Sequence, residues 1–344
     1  MLVAALLVGF LACGGGEPPP RPAEAPALPA LPDPPDTGAA AAPAEEPARA
    51  RDTGGEGPAL VLPFPEGAAG EIVFESDLEG RPKIYRLNLA EARVTQLTHD
   101  ASYRDERPVW SPDGRRIAFS STRSGSYDVW VMNADGSEPV RVTDDPAPDQ
   151  DPSWAPDGRS LYFTSERDGR GELYRVDVDS RRVERVTSGL DRSIMPAVSP
   201  DGRRLAYAAQ LLIGFQIHVR DLATGETRRI TSGGGACRPA WAPDGRTLAY
   251  VSLAREPSTL AATRPDSDEQ RTLVADDDLW SYYPAYSPDG RWIAFSISPE
   301  HHEGENWDLA LMSVDEPGRF VRLTMGLGND RLPDWRPRPG DGRP

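Results

Sequence analysis

One motif recurs five times along this chain at an almost constant interval. "PVWSPDGRRIAFSS" (residues 108–121) is followed by "PSWAPDGRSLYFTS" from Pro152, "PAVSPDGRRLAYAA" from Pro196, "PAWAPDGRTLAYVS" from Pro239 and "PAYSPDGRWIAFSI" from Pro284. The prolines before the five Asp-Gly pairs, Pro112, Pro156, Pro200, Pro243 and Pro288, lie 44, 44, 43 and 45 residues apart. A period in the forties with four short β segments per unit is the sequence mark of a β-propeller. In the copy that starts at Pro108, "PVW" reads as strand A, "SPDGR" as a turn and "RIAFSS" as strand B. "DVWVMN" is then strand C and "PVRVT" strand D. The turn chemistry agrees, because proline fixes φ at the first central position, aspartate tolerates the second, and glycine accepts the φ > 0 that follows. Ile117, Ala118 and Phe119 are consecutive apolar residues, as expected of a sheet buried on both faces.

The two ends set the blade count. "EIVFESD", "KIYRLNL" and "RVTQLT", within residues 71–98, supply strands B, C and D with no strand A before them. "LPDWRPR" (residues 332–338) supplies a strand A with nothing after it, and its Pro333 and Trp335 match Pro108 and Trp110. The C-terminal strand therefore completes the first blade. The expected fold is all-β, a six-bladed propeller over residues 71–338, with residues 339–344 as a tail. Such closure removes open sheet edges.

Residues 1–70 follow other rules. "MLVAALLVGFLAC" is too short to span a bilayer as a helix and has the length of a signal-peptide core. Cys13 stands where this apolar run gives way to "GGGEPPP". Phe10-Leu11-Ala12-Cys13 is similar to a degenerate bacterial lipobox, so lipidation at Cys13 is expected. Removal as an ordinary secretory signal is the alternative. Residues 14–70 read as a disordered Pro/Ala-rich linker: 14 of the 50 residues from 17 to 66 are proline. Such a stretch buries too little apolar surface to offset its ordering entropy. The chain's net charge of -16 is spread over both regions and opposes nucleic-acid binding, which needs a basic face.

The unit P-x-[WYV]-[SA]-P-D-G-R-x-[IL]-[AY]-[FY] resembles the PD40, or WD40-like, repeat of the TolB-type six-bladed propellers, over about residues 71–338. The resemblance implies a periplasmic or cell-envelope location, and the reading of Cys13 adds anchoring there as a lipoprotein, a point on which the chain departs from the soluble TolB. The resemblance also implies a non-catalytic binding role toward an envelope protein or a cell-wall component. TolB itself has a folded α/β domain before its propeller; here the Pro-rich stretch stands in that place.

No arrangement of residues points to chemistry. Asp113, Asp157, Asp201, Asp244 and Asp289 sit on separate hairpins and are read as turn formers. Trp110, Trp154, Trp241 and Trp335 share a register on strand A and are read as packing. The chain has no G-x-S-x-G elbow. His301-His302-Glu303 form a loop without further metal ligands nearby, so no metal and no cofactor is expected. Function is sought instead in the D-to-A and B-to-C loops, opposite the Asp-Gly turns, because these differ from blade to blade. Their Asp105, Arg107, Asp149, Asp151, Arg192, Arg238, Trp280, Tyr282, Tyr283, Asp330 and Arg331 are the types that protein and sugar sites use. The apolar loop Leu211-Leu212-Ile213 is a further candidate contact. A glycan lyase or hydrolase with its site at the channel mouth is the competing expectation.

Overall fold

The computed structural model describes residues 50–51 and 57–337, apart from 190, 211–213, 268, 302–303 and 327. Cys13, Leu211, Leu212, Ile213, His302 and Glu303 thus lie outside the described residues. In chain order, β1 (Ala50–Arg51) and β2 (Ala59–Val61) precede the blades. Blade 1 contains β3 (Glu71–Ser76), β4 (Lys83–Asn88) and β5 (Arg93–Gln96). Blade 2 is β6 (Asp105–Trp110), β7 (Arg116–Ser121), β8 (Asp128–Asn133) and β9 (Val140–Arg141). Blade 3 is β10 (Asp149–Trp154), β11 (Ser160–Ser165), β12 (Glu172–Asp177) and β13 (Val183–Arg185). Blade 4 is β14 (Arg192–Val198), β15 (Arg204–Gln210), β16 (Phe215–Asp221) and β17 (Thr227–Arg229). Blade 5 is β18 (Ala236–Trp241), β19 (Leu248–Ser252), β20 (Thr259–Thr263) and β21 (Gln270–Val274). Blade 6 is β22 (Trp280–Tyr286), β23 (Trp292–Ser298), β24 (Asp308–Ser313) and β25 (Phe320–Arg322), followed by β26 (Thr324–Met325) and β27 (Arg331–Trp335).

Each blade is a four-stranded antiparallel sheet, and blade 1 has the order β27-β3-β4-β5. Trp335 pairs with Ile72 and Arg331 with Glu75, so the C-terminal strand is the innermost strand of the first blade. The inner strands β6, β10, β14, β18, β22 and β27 pack one on the next, and β27 touches both β22 and β6, which closes the ring. The all-β, six-bladed architecture read from the repeats is the one observed.

The Asp-Gly pairs are turns. The backbone N–H groups of Arg115, Arg159, Arg203, Arg246 and Arg291 donate to Asp113, Asp157, Asp201, Asp244 and Asp289 at 2.8–3.1 Å. The glycines that follow hold φ of 63–71°, the left-handed region that an L side chain resists. A second repeated device is the threonine after strand D. The hydroxyls of Thr98, Thr143, Thr187, Thr231 and Thr324 accept the N–H of Ile84, Val129, Leu173, Ile217 and Leu309 at 2.8–3.0 Å. Each satisfies a buried backbone donor at the start of strand C.

Neighbouring blades are also clasped by arginine. Arg116 donates to the Gly158 carbonyl of the next blade's turn and lies 4.9 Å from the Trp154 ring. Arg204 does the same to Gly245 and Trp241, at 4.8 Å. Arg336, just past β27, donates to Gly114 and covers Trp110 at 4.9 Å. The tryptophans pack as expected, and three of them also serve as platforms for a cation.

The ordered domain begins before residue 71. β2 pairs with β26, and the Val61 N–H donates to the Leu323 carbonyl at 2.9 Å. Leu60 is fully buried in a cluster with Leu87, Leu309, Leu311 and Leu323. The reason is local: "ALVL" at 59–62 is a short apolar run inside the Pro-rich stretch, and the open outer flank of blade 6 offers it an edge to pair with. Leu60→Ala is expected to lower stability by about 2–4 kcal/mol, the usual cost of a large-to-small change in a packed site. Urea unfolding measures it, and a change within about 0.5 kcal/mol would show that the segment is not docked in solution.

Candidate functional site

All six inner strands break register at one place, between Glu106 and Val109 in blade 2 and at the matching step in the others. At each break the residue before the proline has positive φ: Arg107 56°, Asp151 54°, Met195 58°, Arg238 53°, Tyr283 58° and Leu332 52°. This region is costly for residues other than glycine, and a β-bulge is a known way to re-aim a side chain. All six side chains line the central cavity, so they form one ring with one member from each blade.

The cavity has a volume of about 690 Å³ and runs from this ring to the Asp-Gly turns, where Asp113, Asp157 and Gly158 border it. Its wall is made largely of prolines and of Trp110, Trp154, Trp241 and Trp335. It therefore lies on the Asp-Gly side of the ring. Asp105, Asp149 and Asp330 are not among its lining residues.

The floor of the cavity is ionic. Asp151 is bridged by Arg107 at 3.1 Å and Arg238 at 2.8 Å, joining blades 2, 3 and 5 across the channel. Arg238 also lies 5.1 Å from the Tyr283 ring. Burial pushes the Asp151 carboxyl up, but Arg107 and Arg238 outweigh burial and hold it below the usual carboxylate range. Burial works against the Arg107 charge too, yet Asp151, Glu106 and Glu75 hold its pKa above the ordinary arginine value. The triad thus carries one net positive charge in a desolvated place. Behind it Glu75 accepts the Arg107 N–H at 2.9 Å and pairs with Arg331 at 3.3 Å. Burial dominates at Glu75 and raises its pKa, with Arg331 opposing. At Glu106, bonded by Arg104 at 2.6 Å, burial is outweighed by Arg107 and Arg104 and the pKa falls.

The residues singled out in the sequence do not share one place. Ten of the eleven lie in the inner strands themselves rather than in loops, with Asp330 just before β27. The bulge lengthens each inner strand beyond the "P-x-W" core, which is why the loop reading fails. Arg107, Asp151, Arg238 and Tyr283 meet at the floor, and Arg331 joins through Glu75. Asp105 and Asp149 are buried and each pairs with an arginine, Arg123 and Arg167, at 2.9 Å. Arg192 pairs with Glu166 at 3.2 Å. Tyr282 is buried edge-on against Trp307, with ring centroids 5.5 Å apart, and Trp280 stands edge-on to His301 at 4.6 Å. Among the described residues no three His, Cys, Asp or Glu side chains come close enough to hold a metal ion. Sequence reasoning missed Glu75, Met195 and Leu332. Met195 and Leu332 precede the repeat proline, at the variable position that marks the ring.

Asp151→Asn would leave two guanidinium groups facing each other without their shared counter-charge. A loss of about 3–5 kcal/mol is expected, as when one partner of a buried ion pair is removed. Asp113→Asn, at a turn that asparagine also forms, is expected to cost less than about 1 kcal/mol. Chemical denaturation of the two variants side by side tests this ranking, and equal losses would contradict it.

The TolB beta propeller domain model, PD40, matches residues 102–262. The Tol-Pal system protein TolB of Anaeromyxobacter dehalogenans is 37% identical over 79 residues, which cover 23% of this chain and 18% of that protein. The chain therefore matches less than a fifth of that relative's length. The crystal structure of TolB from Acinetobacter baumannii has a TM-score of 0.66 at 24% identity, covering 78% of this chain and 67% of that one. Oligogalacturonate lyase in complex with manganese has a TM-score of 0.53 at 16% identity, covering 81% of this chain and 84% of that one. At these identities the two structures speak for the fold alone. In repeat motif, in the match of the TolB beta propeller model over residues 102–262 and in fold, the six-bladed propeller of this chain is similar to the TolB-like, PD40-repeat β-propellers.

Proposed function

We propose that this protein is a non-catalytic binding protein of the cell envelope. Its central cavity takes an acidic, extended segment of an envelope protein or a carboxylate-bearing cell-wall component. The observation that carries this reading is the Arg107–Asp151–Arg238 floor, which presents net positive charge at the bottom of a cavity walled by proline and tryptophan. Apolar walls with a few convergent polar groups are the usual make-up of a binding pocket. The acids near the cavity are engaged by the fold. Asp151 is held ionised between two guanidiniums, Asp113 and Asp157 accept turn N–H groups, and Asp334 accepts the Trp110 N–H at 2.6 Å. The binding face we infer is the Asp-Gly side of the ring, rather than the face of the D-to-A and B-to-C loops. Of the residues first singled out, Arg107, Asp151, Arg238 and Tyr283 belong to it.

We further propose that Cys13 carries a lipid and that the Pro-rich stretch before residue 50 holds the propeller off the membrane. At ~3.1 Å per residue in extended form this stretch reaches about 110 Å.

Four tryptophans line the cavity, so their fluorescence reports on binding there. An acidic decapeptide is expected to bind, with a lysine-rich decapeptide much weaker. Arg238→Met should cost about tenfold in affinity, the equivalent of one charge-assisted hydrogen bond of ~1.4 kcal/mol. Equal binding of the two peptides, or reproducible turnover of a glycan by the purified propeller, would overturn the reading. Cys13→Ser is expected to move the protein from the membrane to the soluble fraction, and continued membrane retention would remove the anchor.

A further inference from the structure

The blades provide an internal comparison. In blades 2 and 3 an aspartate stands three residues before the inner-strand proline, and an arginine stands two residues after the end of the second strand. The two pair within the blade: Asp105 with Arg123 and Asp149 with Arg167, both at 2.9 Å. Blades 4, 5 and 6 carry neither: Ser193, Ala236 and Ser281 replace the acid, and Leu211, Ala254 and Pro299 replace the arginine. Blade 1 alone keeps the acid, Asp330, and lacks the arginine, having Leu78 instead.

Asp330 is 1% exposed, has no ion-pair partner among the described residues, and neither carboxylate oxygen holds a hydrogen bond of good geometry. Its polar neighbours are the hydroxyls of Ser76 on β3 and Thr324 on β26. The charged groups facing it are acidic. Asp308, at the start of β24, is itself tied to Arg322 of β25 at 3.0 Å. Asp77, after β3, is bonded by the Asn329 backbone and side chain, both at 2.7 Å. Tyr85 of β4 lies near, with Glu79 beyond it. The adjacent Arg331 is turned to Glu75 in the channel.

We propose that this seam is a pH-sensitive latch: the closing strand β27 is held tightly while Asp330 is protonated and loosens as Asp330 ionises. Burial first, then Asp308 and Asp77, push its carboxyl up to about 7. An acid raised in the folded state favours folding below its unfolded value of about 4. That contribution is lost as pH rises toward 7 and stays lost above it. Leu332, Pro333, Asp334 and Trp335 of the same strand border the cavity, so the latch acts on one wall of it. Asp334, in which burial also pushes the carboxyl to about 7, titrates in the same window. The test must therefore isolate Asp330.

Hydrogen exchange of backbone amides in the full mature chain, compared between the wild type and two variants directed at Asp330, does so. From pH 7.5 to pH 5, protection factors in β27 should rise at least about tenfold, the factor carried by one unit of raised pKa. Those of β6, whose Asp105 is paired, should change less, Trp110 excepted because its N–H donates to Asp334. Leu78→Arg supplies the guanidinium that Arg123 and Arg167 supply in their blades. Asp330→Asn removes the titration. Both variants should retain β27 protection at pH 7.5 and show a smaller pH dependence than the wild type, the remainder being that of Asp334. A wild-type β27 that changes no more than β6 would overturn the proposal, and this comparison stands even if a variant misfolds. Variants that keep the full wild-type pH dependence would overturn it as well.

Discussion

Everything in this molecule depends on a pairing between residues more than 250 positions apart, β27 with β3. Only this antiparallel contact turns a row of blades into a ring. Without it, β3 would be the open inner edge of blade 1 and β22 would have no neighbour on one side. The ring in turn creates the channel, and the channel brings Arg107, Asp151 and Arg238, separated by 44 and 87 residues, onto one carboxylate. The closing contact is reinforced on both sides. Arg336 repeats the clasp that Arg116 and Arg204 make elsewhere, and the Asp334 carboxylate accepts the Trp110 N–H of the next blade.

The fold was legible because its determinants are local and repeated. Proline, aspartate and glycine at fixed offsets make one turn, and five copies at a constant period leave one architecture. The closing strand was legible for the same reason, since Pro333 and Trp335 match a template already read in full. The site was legible only in part. Arg107, Asp151, Arg238 and Tyr283 stand out as charged or aromatic residues in variable segments. That they point inward depends on a bulge, and the bulge depends on backbone torsions that no residue type there advertises. Met195 and Leu332 carry no chemical flag, and Glu75 comes from a second strand whose place beneath the ring follows only from closure. Leu60 was hidden by its surroundings: proline content marked the stretch as unable to order itself, and the partner that orders it, β26, lies more than 250 residues away.

The repeats also show substitution in pairs. In blades 2, 3 and 5 an arginine from the preceding blade covers the strand-A tryptophan, whereas for Trp335 of blade 1 the matching position holds Trp292, which packs on the same cluster. Where Val198 or Tyr286 stands instead, the matching position holds Ser160 or Thr247. Arg185 with Glu172 and Arg141 with Asp128 extend the same economy to the outer strands, at 3.1 and 2.8 Å.

The ring before the prolines gives the channel the character of a short word spelled Arg-Asp-Met-Arg-Tyr-Leu, one letter per blade. Each letter hangs from a backbone step that the neighbouring proline and bulge define without reference to the side chain. Met195 and Leu332 can be exchanged while the turns, clasps and closing strand stay as they are, whereas Arg107, Asp151 and Arg238 are tied to one another and change only together. The lining of the channel and the punctuation of the fold thus occupy separate positions of the same repeat.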